Sequence, residues 1–286
     1  MNIPNCDEFI RGIEEFEKHE KRDAMYKVAT FLVEYFWDKP RTIPTIADGL
    51  GVLLLTWNQA FYRYGLFDFE SLEKCISNNR PLIESFRSRN ISSLSSNDDE
   101  NIKDLFGKFL QALRIDSMRF SDNNIRKYTK KHLEELLNCW GIRHNATSLR
   151  TIYESIIEDA RINGACEFIN INQNGSQKQY IQISVSMLDN TLWNSLESKK
   201  LIKKSPVAVA KALHLLAPNF FPLWDAKIAW AYGCRYNDRP EEKYVSFCKI
   251  TNAMADKLKG CISRPDKTII KLIDEYNYSK HTRNWI

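Results

Sequence analysis

Apolar residues recur at steps of three and four positions through most of this chain, and this spacing is typical of amphipathic helices. Near the start the pattern runs through Phe9, Ile13 and Phe16. The sequence therefore predicts a mainly α fold. The main predicted helices cover residues 46–63, 70–77, 81–89, 102–113, 124–140, 149–162, 190–200, 206–217, 226–233, 241–259 and 266–276.

One stretch of the chain alternates apolar and polar residues instead, which is the pattern of β-strands. Residues 166–171 and 178–185 alternate on either side of a polar segment that contains Asn174-Gly175. Asn-Gly favours the tight turn of a hairpin. We therefore expect one β-hairpin over 166–185, inserted into the helical fold.

Residues 90–101, NISSLSSNDDEN, are rich in Ser, Asn and Asp, a composition that is typical of linkers. We place a boundary here and divide the chain into an N-terminal helical region, 1–95, and a second domain, 96–286. The two parts are expected to form two lobes.

Composition narrows the class of protein. The net charge of +5 permits an anionic partner. The seven cysteines are odd in number and never spaced as CxxC, which predicts reduced thiols. The first residues lack the pattern of a signal peptide, and apolar runs such as 52–55 are too short to cross a membrane. We expect a cytoplasmic monomer without a membrane partner, a metal ion or a cofactor.

The segment 190–233 carries the clearest chemical signal. The lysines Lys199, Lys200, Lys203 and Lys204 precede Ser205, a favourable N-cap residue, and Pro206 follows it. Lysines beside the free amides of a helix start are suited to phosphate groups. Twenty positions after Ser205, an apolar segment ends at Asp225, where a new helix is predicted and its dipole favours a carboxylate.

These residues resemble the helix-hairpin-helix, Gly/Pro, Asp (HhH-GPD) superfamily of DNA glycosylases. Leu201-Ile202-Lys203-Lys204-Ser205 stands at the position of the family's hairpin, and Asp225 stands at that of its catalytic Asp. The resemblance implies an HhH-GPD-like helical fold of two lobes, with a helix-hairpin-helix over 190–217. It also implies an enzyme that hydrolyses the N-glycosidic bond of a modified or damaged base in double-stranded DNA.

The resemblance further implies roles for single residues. Asp225 would be the catalytic residue: after the base is extruded, it would stabilise the positive charge that develops on the sugar, activate water, or both. Trp224 would form part of the wall of the base pocket. The DNA-binding residues would be Lys200, Lys203, Lys204, Ser205 and Val207. Val207 stands where strand-cleaving members carry a Schiff-base lysine, so we expect a monofunctional enzyme that leaves an abasic site. Cys234, Cys248 and Cys261 are too few and too widely spaced for the iron–sulfur cluster of some members.

Other aromatic and imidazole side chains have two interpretations. Trp57, Asn58 and Tyr62 lie in the predicted helix 46–63 and could stack on and read a base, or they could belong to a core helix. His214, Trp193 and Trp230 are predicted to be core residues.

The biological role stays open between base-excision repair and defence against phage with modified DNA. The defence role is suggested by a weaker resemblance to a bacterial anti-phage glycosylase that removes glucosylated hydroxymethylcytosine. The alternatives to an enzyme are a non-catalytic DNA-binding protein that keeps the hairpin, and a helical interaction protein without a nucleic-acid role.

Overall fold

The computed structural model of the protein describes residues 3–19, 69–117, 201–265 and 267–286, and also Val33, Glu34, Trp37 and Leu50. This part of the chain is mainly helical, as the sequence predicted. We number its helices α1 Cys6–His19, α2 Phe69–Asn78, α3 Arg80–Arg87, α4 Asp99–Ala112, α5 Pro206–Leu216, α6 Ala226–Ala231, α7 Pro240–Leu258 and α8 Ile269–Asn277. Two 3-10 turns, Ile91–Ser93 and Ser96–Asp98, precede α4, and a π-helical turn, Tyr278–Thr282, follows α8.

Several predicted elements lie outside the described residues: the β-hairpin over 166–185 and the helices over 46–63, 124–140, 149–162 and 190–200. No helix in the described ranges combines the length and the apolar composition that crossing a membrane requires.

Side-chain caps fix where two of the C-terminal helices begin. The Ser205 hydroxyl accepts a hydrogen bond from the Ala208 amide at 3.2 Å, and Pro206 takes the first helical position of α5. Proline fits there because the first amides of a helix have no acceptor within the helix. Thr268 caps α8 in the same way, accepting from the Lys271 amide at 3.1 Å. The predicted start of α5 is confirmed.

Residues 1–20, 74–112 and 205–286 form one compact unit, which we call unit 1. Its core is aromatic: Trp224 packs on Tyr244 with ring centroids 5.1 Å apart, and Phe106 packs on the same ring at 4.6 Å. The buried Tyr244 hydroxyl donates to the Pro222 carbonyl at 2.8 Å, so this polar group keeps a partner. Helix α4 packs against both α5 and α7 around this cluster.

Helix α1 lies close against α8 and the π-helical turn. A Cβ atom at Gly12 would lie 2.6 Å from Cδ2 of Tyr276, so only glycine permits this approach. The Gly12 carbonyl also accepts a hydrogen bond from the Ser279 hydroxyl at 2.7 Å. The same helix buries Phe9, Ile13 and Phe16, as its apolar spacing predicted.

The polar segment 90–101 is an ordered part of unit 1, and its prediction as a linker is wrong. Ile91 is buried, and its amide donates to the Asn219 carbonyl at 2.9 Å. Arg89 forms a bidentate ion pair with Asp98 at 2.7 and 2.8 Å. One apolar anchor and one charge pair hold these residues in place, which their overall composition does not reveal.

Residues 21–73 and 113–204 form a second compact unit, unit 2. This division differs from the predicted boundary near residue 95, because residues 74–112 all belong to unit 1. Within unit 2, strand β1 Ile115–Ser117 pairs antiparallel with strand β2 Leu201–Lys203, and Ile115 lies opposite Lys203.

Cys6 and Cys261 form a disulfide, with their Cα atoms 5.2 Å apart. The prediction that all cysteines are reduced is therefore wrong for this pair. Because 255 positions separate the two residues, no local spacing indicates the bond. The fold of unit 1 brings the start of α1 to the segment after α7. Cys75 is a free thiol, and burial raises its pKa to about 11.

Candidate active site

The segment that leads to Asp225 is buried in the core of unit 1. Trp224 is only 2% exposed, and its indole Nε1 donates to the Pro206 carbonyl at 3.2 Å. Phe220 and Phe221 are also buried. Trp224 is thus a buried core residue, and its place in the wall of a base pocket stays a prediction.

Asp225 is the N-cap of α6, and its side chain is half-buried. Its Oδ1 accepts a hydrogen bond from the Ile228 amide at 2.8 Å. Its Oδ2 accepts one from the Thr282 hydroxyl at 2.6 Å. The Thr282 carbonyl in turn accepts from Nζ of Lys227 at 2.8 Å. Two separate elements, α6 and the π-helical turn, therefore hold this carboxylate in one orientation.

The charge of Asp225 acts on three titratable side chains around it. Burial raises the pKa of Tyr236 to about 12, and Asp225 adds to the rise. Burial lowers the pKa of His281, although Asp225 opposes this change. Burial also raises the pKa of Asp274, against the effect of Lys271, and Asp225 again adds to the rise. At neutral pH the carboxylate thus lies near a neutral phenol and a neutral imidazole.

This arrangement leaves Asp225 capable of chemistry. An ionised carboxylate has about four acceptor positions, and the hydrogen bonds from Ile228 and Thr282 take two of them. The others are available to a water molecule or to a positive charge that develops on a substrate. The same hydrogen bond from Ile228 also stabilises the first turn of α6, so the residue has a structural role as well.

The basic segment has a different local structure from the one that the resemblance implied. Residues Leu201–Lys203 form strand β2, where part of the hairpin turn was expected. The segment 201–205 contains no glycine, and the β-branched Ile202 favours an extended backbone. The turn at 201–203 is therefore corrected to a strand. Lys204 and Ser205 connect this strand to α5.

The remaining predicted DNA-binding and pocket residues divide into two groups. Lys204 is exposed, Ser205 is buried as the cap of α5, and Val207 is half-buried in the first turn of that helix. The other candidates lie outside the described residues: Lys200, Trp57, Asn58, Tyr62 and Trp193.

Two core predictions have opposite outcomes. His214 is fully buried, with Nδ1 2.7 Å from the Phe221 carbonyl oxygen, and burial lowers its pKa to about 3. Its prediction as a core residue is confirmed. Trp230 was also predicted to be core, and this is wrong because its side chain is 63% exposed. The short helix α6 buries Ile228 and Ala229 instead.

Sequence reasoning missed the side chains that surround Asp225. Thr282 lies 57 positions away and belongs to no recognisable motif, so only the fold could reveal it. The same holds for His281 and Asp274. Among the residues that the structure describes, no three His, Cys, Asp or Glu side chains are grouped as a metal site would require.

In comparisons with known proteins, no family model, no curated protein and no solved structure matches the chain.

Proposed function

We propose that this protein is a DNA glycosylase that hydrolyses the N-glycosidic bond of a modified or damaged base, with Asp225 as its catalytic carboxylate. The observation that carries the proposal is the half-buried Asp225 carboxylate, which the Ile228 amide and the Thr282 hydroxyl hold in a fixed orientation. A fixed negative charge needs no reorganisation when a positive charge develops in the transition state.

In the proposed reaction the target base is first extruded from the duplex, because its glycosidic bond is inaccessible within the stack. The bond between the sugar C1′ and the base nitrogen breaks, and positive charge develops on the sugar. Asp225 stabilises this charge and orients a water molecule. The water oxygen bonds to C1′, its proton leaves, and the base departs with a proton. The product is an intact abasic site.

We propose that Lys200, Lys203 and Lys204 bind phosphates of the DNA duplex. Lys204 is exposed, and it lies directly before the N-cap of α5. Contacts of this kind are independent of base sequence and weaken as salt rises. The half-buried Val207 cannot form a Schiff base, which is why we propose hydrolysis without strand cleavage.

A second candidate function is DNA binding without catalysis. Both Asp225 oxygens already accept hydrogen bonds, one of which caps α6. An aspartate with a purely structural role would show the same contacts.

The Asp225→Asn variant distinguishes the two functions. The wild-type chain and the variant are incubated with duplexes that carry oxidised, alkylated or glucosylated hydroxymethylated bases, and abasic sites are cleaved with alkali and resolved on a gel. We expect the variant to bind DNA and to lose base excision by several orders of magnitude, because the amide keeps the size but not the charge. A variant as active as wild type would contradict the catalytic role.

Two controls accompany this experiment. The double variant Lys203→Glu, Lys204→Glu should weaken binding to every duplex at low salt, which separates binding from chemistry. Wild type should give no borohydride-trapped adduct. A trapped adduct would leave base excision in place and assign the reaction to a lysine nucleophile, such as Lys204 or Lys211.

A further inference from the structure

Trp230 is the exposed large hydrophobic side chain of the described residues, with 63% of its surface accessible. Helix α6 buries Ile228 and Ala229 in the core, and the indole of Trp230 lies on its solvent-facing side. An exposed indole is unfavourable in water, and Trp in such a position is enriched at sites where proteins bind other molecules.

The chain after α6 places a cation on this ring. Gly233 adopts a positive φ of 70°, a conformation that favours glycine. The Cys234 amide then donates to the Ala229 carbonyl at 2.8 Å, and Cys234 is buried. This turn brings Arg235 back over α6, where its Cζ lies 3.9 Å from the centroid of the Trp230 ring. The guanidinium covers one face of the indole and restrains it.

Lys227 extends the positive charge along the same side of α6. It lies three residues before Trp230, which is the spacing of neighbours on a helix surface. Its Nζ is held by the Thr282 carbonyl at 2.8 Å. Asp238 is the one acidic residue between Lys227 and Arg239, and it pairs with Arg239 at 3.4 Å. The surface formed by Lys227, Trp230 and Arg235, the Trp230 surface, is therefore aromatic and cationic.

We infer that the Trp230 surface binds an unpaired nucleobase of DNA, which stacks on the indole while Arg235 and Lys227 attract the adjoining phosphates. This inference rests on the proposed function for the choice of DNA. Every base has a flat face that an aromatic ring can stack on, so the contact is independent of sequence. Trp230 follows Asp225 by five residues, or about 8 Å along the helix axis. A nucleotide next to the one whose base is excised at Asp225 could therefore reach Trp230.

The test measures the affinity of the full chain for a fluorescein-labelled, single-stranded oligothymidylate by anisotropy. Trp230→Ala should weaken binding roughly 10-fold, which is the scale of one base–aromatic stack. Trp230→Phe should restore part of the affinity, since it keeps a smaller aromatic face. Arg235→Lys should weaken binding by less than Trp230→Ala, because it keeps the charge and loses the planar group. Arg239→Ala, at a neighbouring paired cation, is the matched control and should bind as wild type does.

Thermal unfolding of each variant shows whether the fold is intact, and we expect no change for an exposed side chain. Wild-type affinity in Trp230→Ala would overturn the inference and leave the indole as a contact for another protein. If Arg239→Ala lost as much affinity as Trp230→Ala, the inference would also be overturned, because positive charge alone would then explain binding. The result is independent of base excision. Trp230→Ala can lower the affinity for the oligonucleotide even if the wild-type chain excises no base, and it can leave the affinity unchanged even if the wild-type chain is an active glycosylase.

Discussion

Asp98 illustrates how much one side chain contributes to this fold. Its carboxylate accepts two hydrogen bonds from the Arg89 guanidinium, and further ones from the Ser95 amide at 2.8 Å and hydroxyl at 3.0 Å. The side chain is only 8% exposed. The Arg89 hydrogen bonds lower the pKa of Asp98 to about 2, against the effect of burial. The charged form is thus strongly favoured in the folded state.

We expect Asp98→Asn to lower the free energy of unfolding by about 2 kcal/mol at neutral pH, which corresponds to the fall in pKa. Because the folded-state pKa is lowered, this stabilisation is present above the unfolded pKa near 4. It is lost as the pH falls from about 5 to about 2. Urea unfolding across this range should show that the difference in free energy of unfolding between wild type and Asp98→Asn shrinks as the pH falls.

The control for this prediction is Asp238→Asn. This variant also removes an ion pair, with Arg239, but the Asp238 side chain is 83% exposed. It should change stability by less than about 0.5 kcal/mol. A difference between wild type and Asp98→Asn that stays constant with pH would show that the charge is not the cause.

At the scale of elements, the C-terminal π-helical turn is tied to the start of α6. Thr282 donates its hydroxyl to Asp225 and accepts from Lys227, so one residue binds two positions in the first turn of that helix. A helix of six residues is marginal by itself. Because α6 is too short to be stable alone, these two hydrogen bonds from Thr282 supply part of its stability.

We expect Thr282→Val to destabilise the protein by about 1 to 2 kcal/mol, because it removes a hydrogen bond to a charged group. Thr282→Ser keeps the hydroxyl and should retain most of the stability. Thermal and urea unfolding of the three proteins measure the difference. Stability that is lost in the serine variant but kept in the valine variant would mean that packing of the methyl group, rather than the hydrogen bond, is what matters.

The elements that could be predicted from the sequence are those with local signals. Ser205 and Pro206 indicate the start of α5, and Asp225 indicates the start of α6, because a cap acts on amides only a few residues away. Strand β2 could not be predicted because its partner, β1, is distant in sequence. The exposure of Trp230 depends on which side of a short helix the rest of the protein covers, and no spacing reveals that.

The candidate site shows the same limit. Asp225 itself could be proposed from the sequence, since its position after an apolar run resembles a family pattern. Thr282 and His281 could not, because their proximity to Asp225 results from the packing of the last residues against α6. The tight contact at Gly12 is likewise a property of two helices from opposite ends of the chain.

At the scale of the whole molecule, unit 1 is assembled from three separate parts of the chain. The Cys6–Cys261 disulfide joins the first part to the last. Disulfides persist in oxidising compartments and are rare in the cytoplasm, so the cytoplasmic location stays a prediction.

We expect Cys6→Ser, Cys261→Ser and the double variant to lose the same stability, about 2 to 5 kcal/mol relative to the oxidised wild type. Reduction of the wild type should have an equal effect. Urea unfolding measures these losses, and peptide mapping without reductant should recover Cys6 and Cys261 in one linked peptide. Recovery of both as free thiols, or a reductant without effect on wild type, would contradict the bond.

The arrangement of unit 1 has a consequence for synthesis on the ribosome. Helix α1 is made long before α8, yet its buried face contacts that helix, which is made roughly 250 residues later. At about 5 to 20 residues per second, that delay is on the order of 10 to 50 s. Throughout that time Phe9, Ile13 and Phe16 lack their final partners. A nascent chain that stops before α8 thus exposes the apolar face of α1, which chaperones and proteases can recognise.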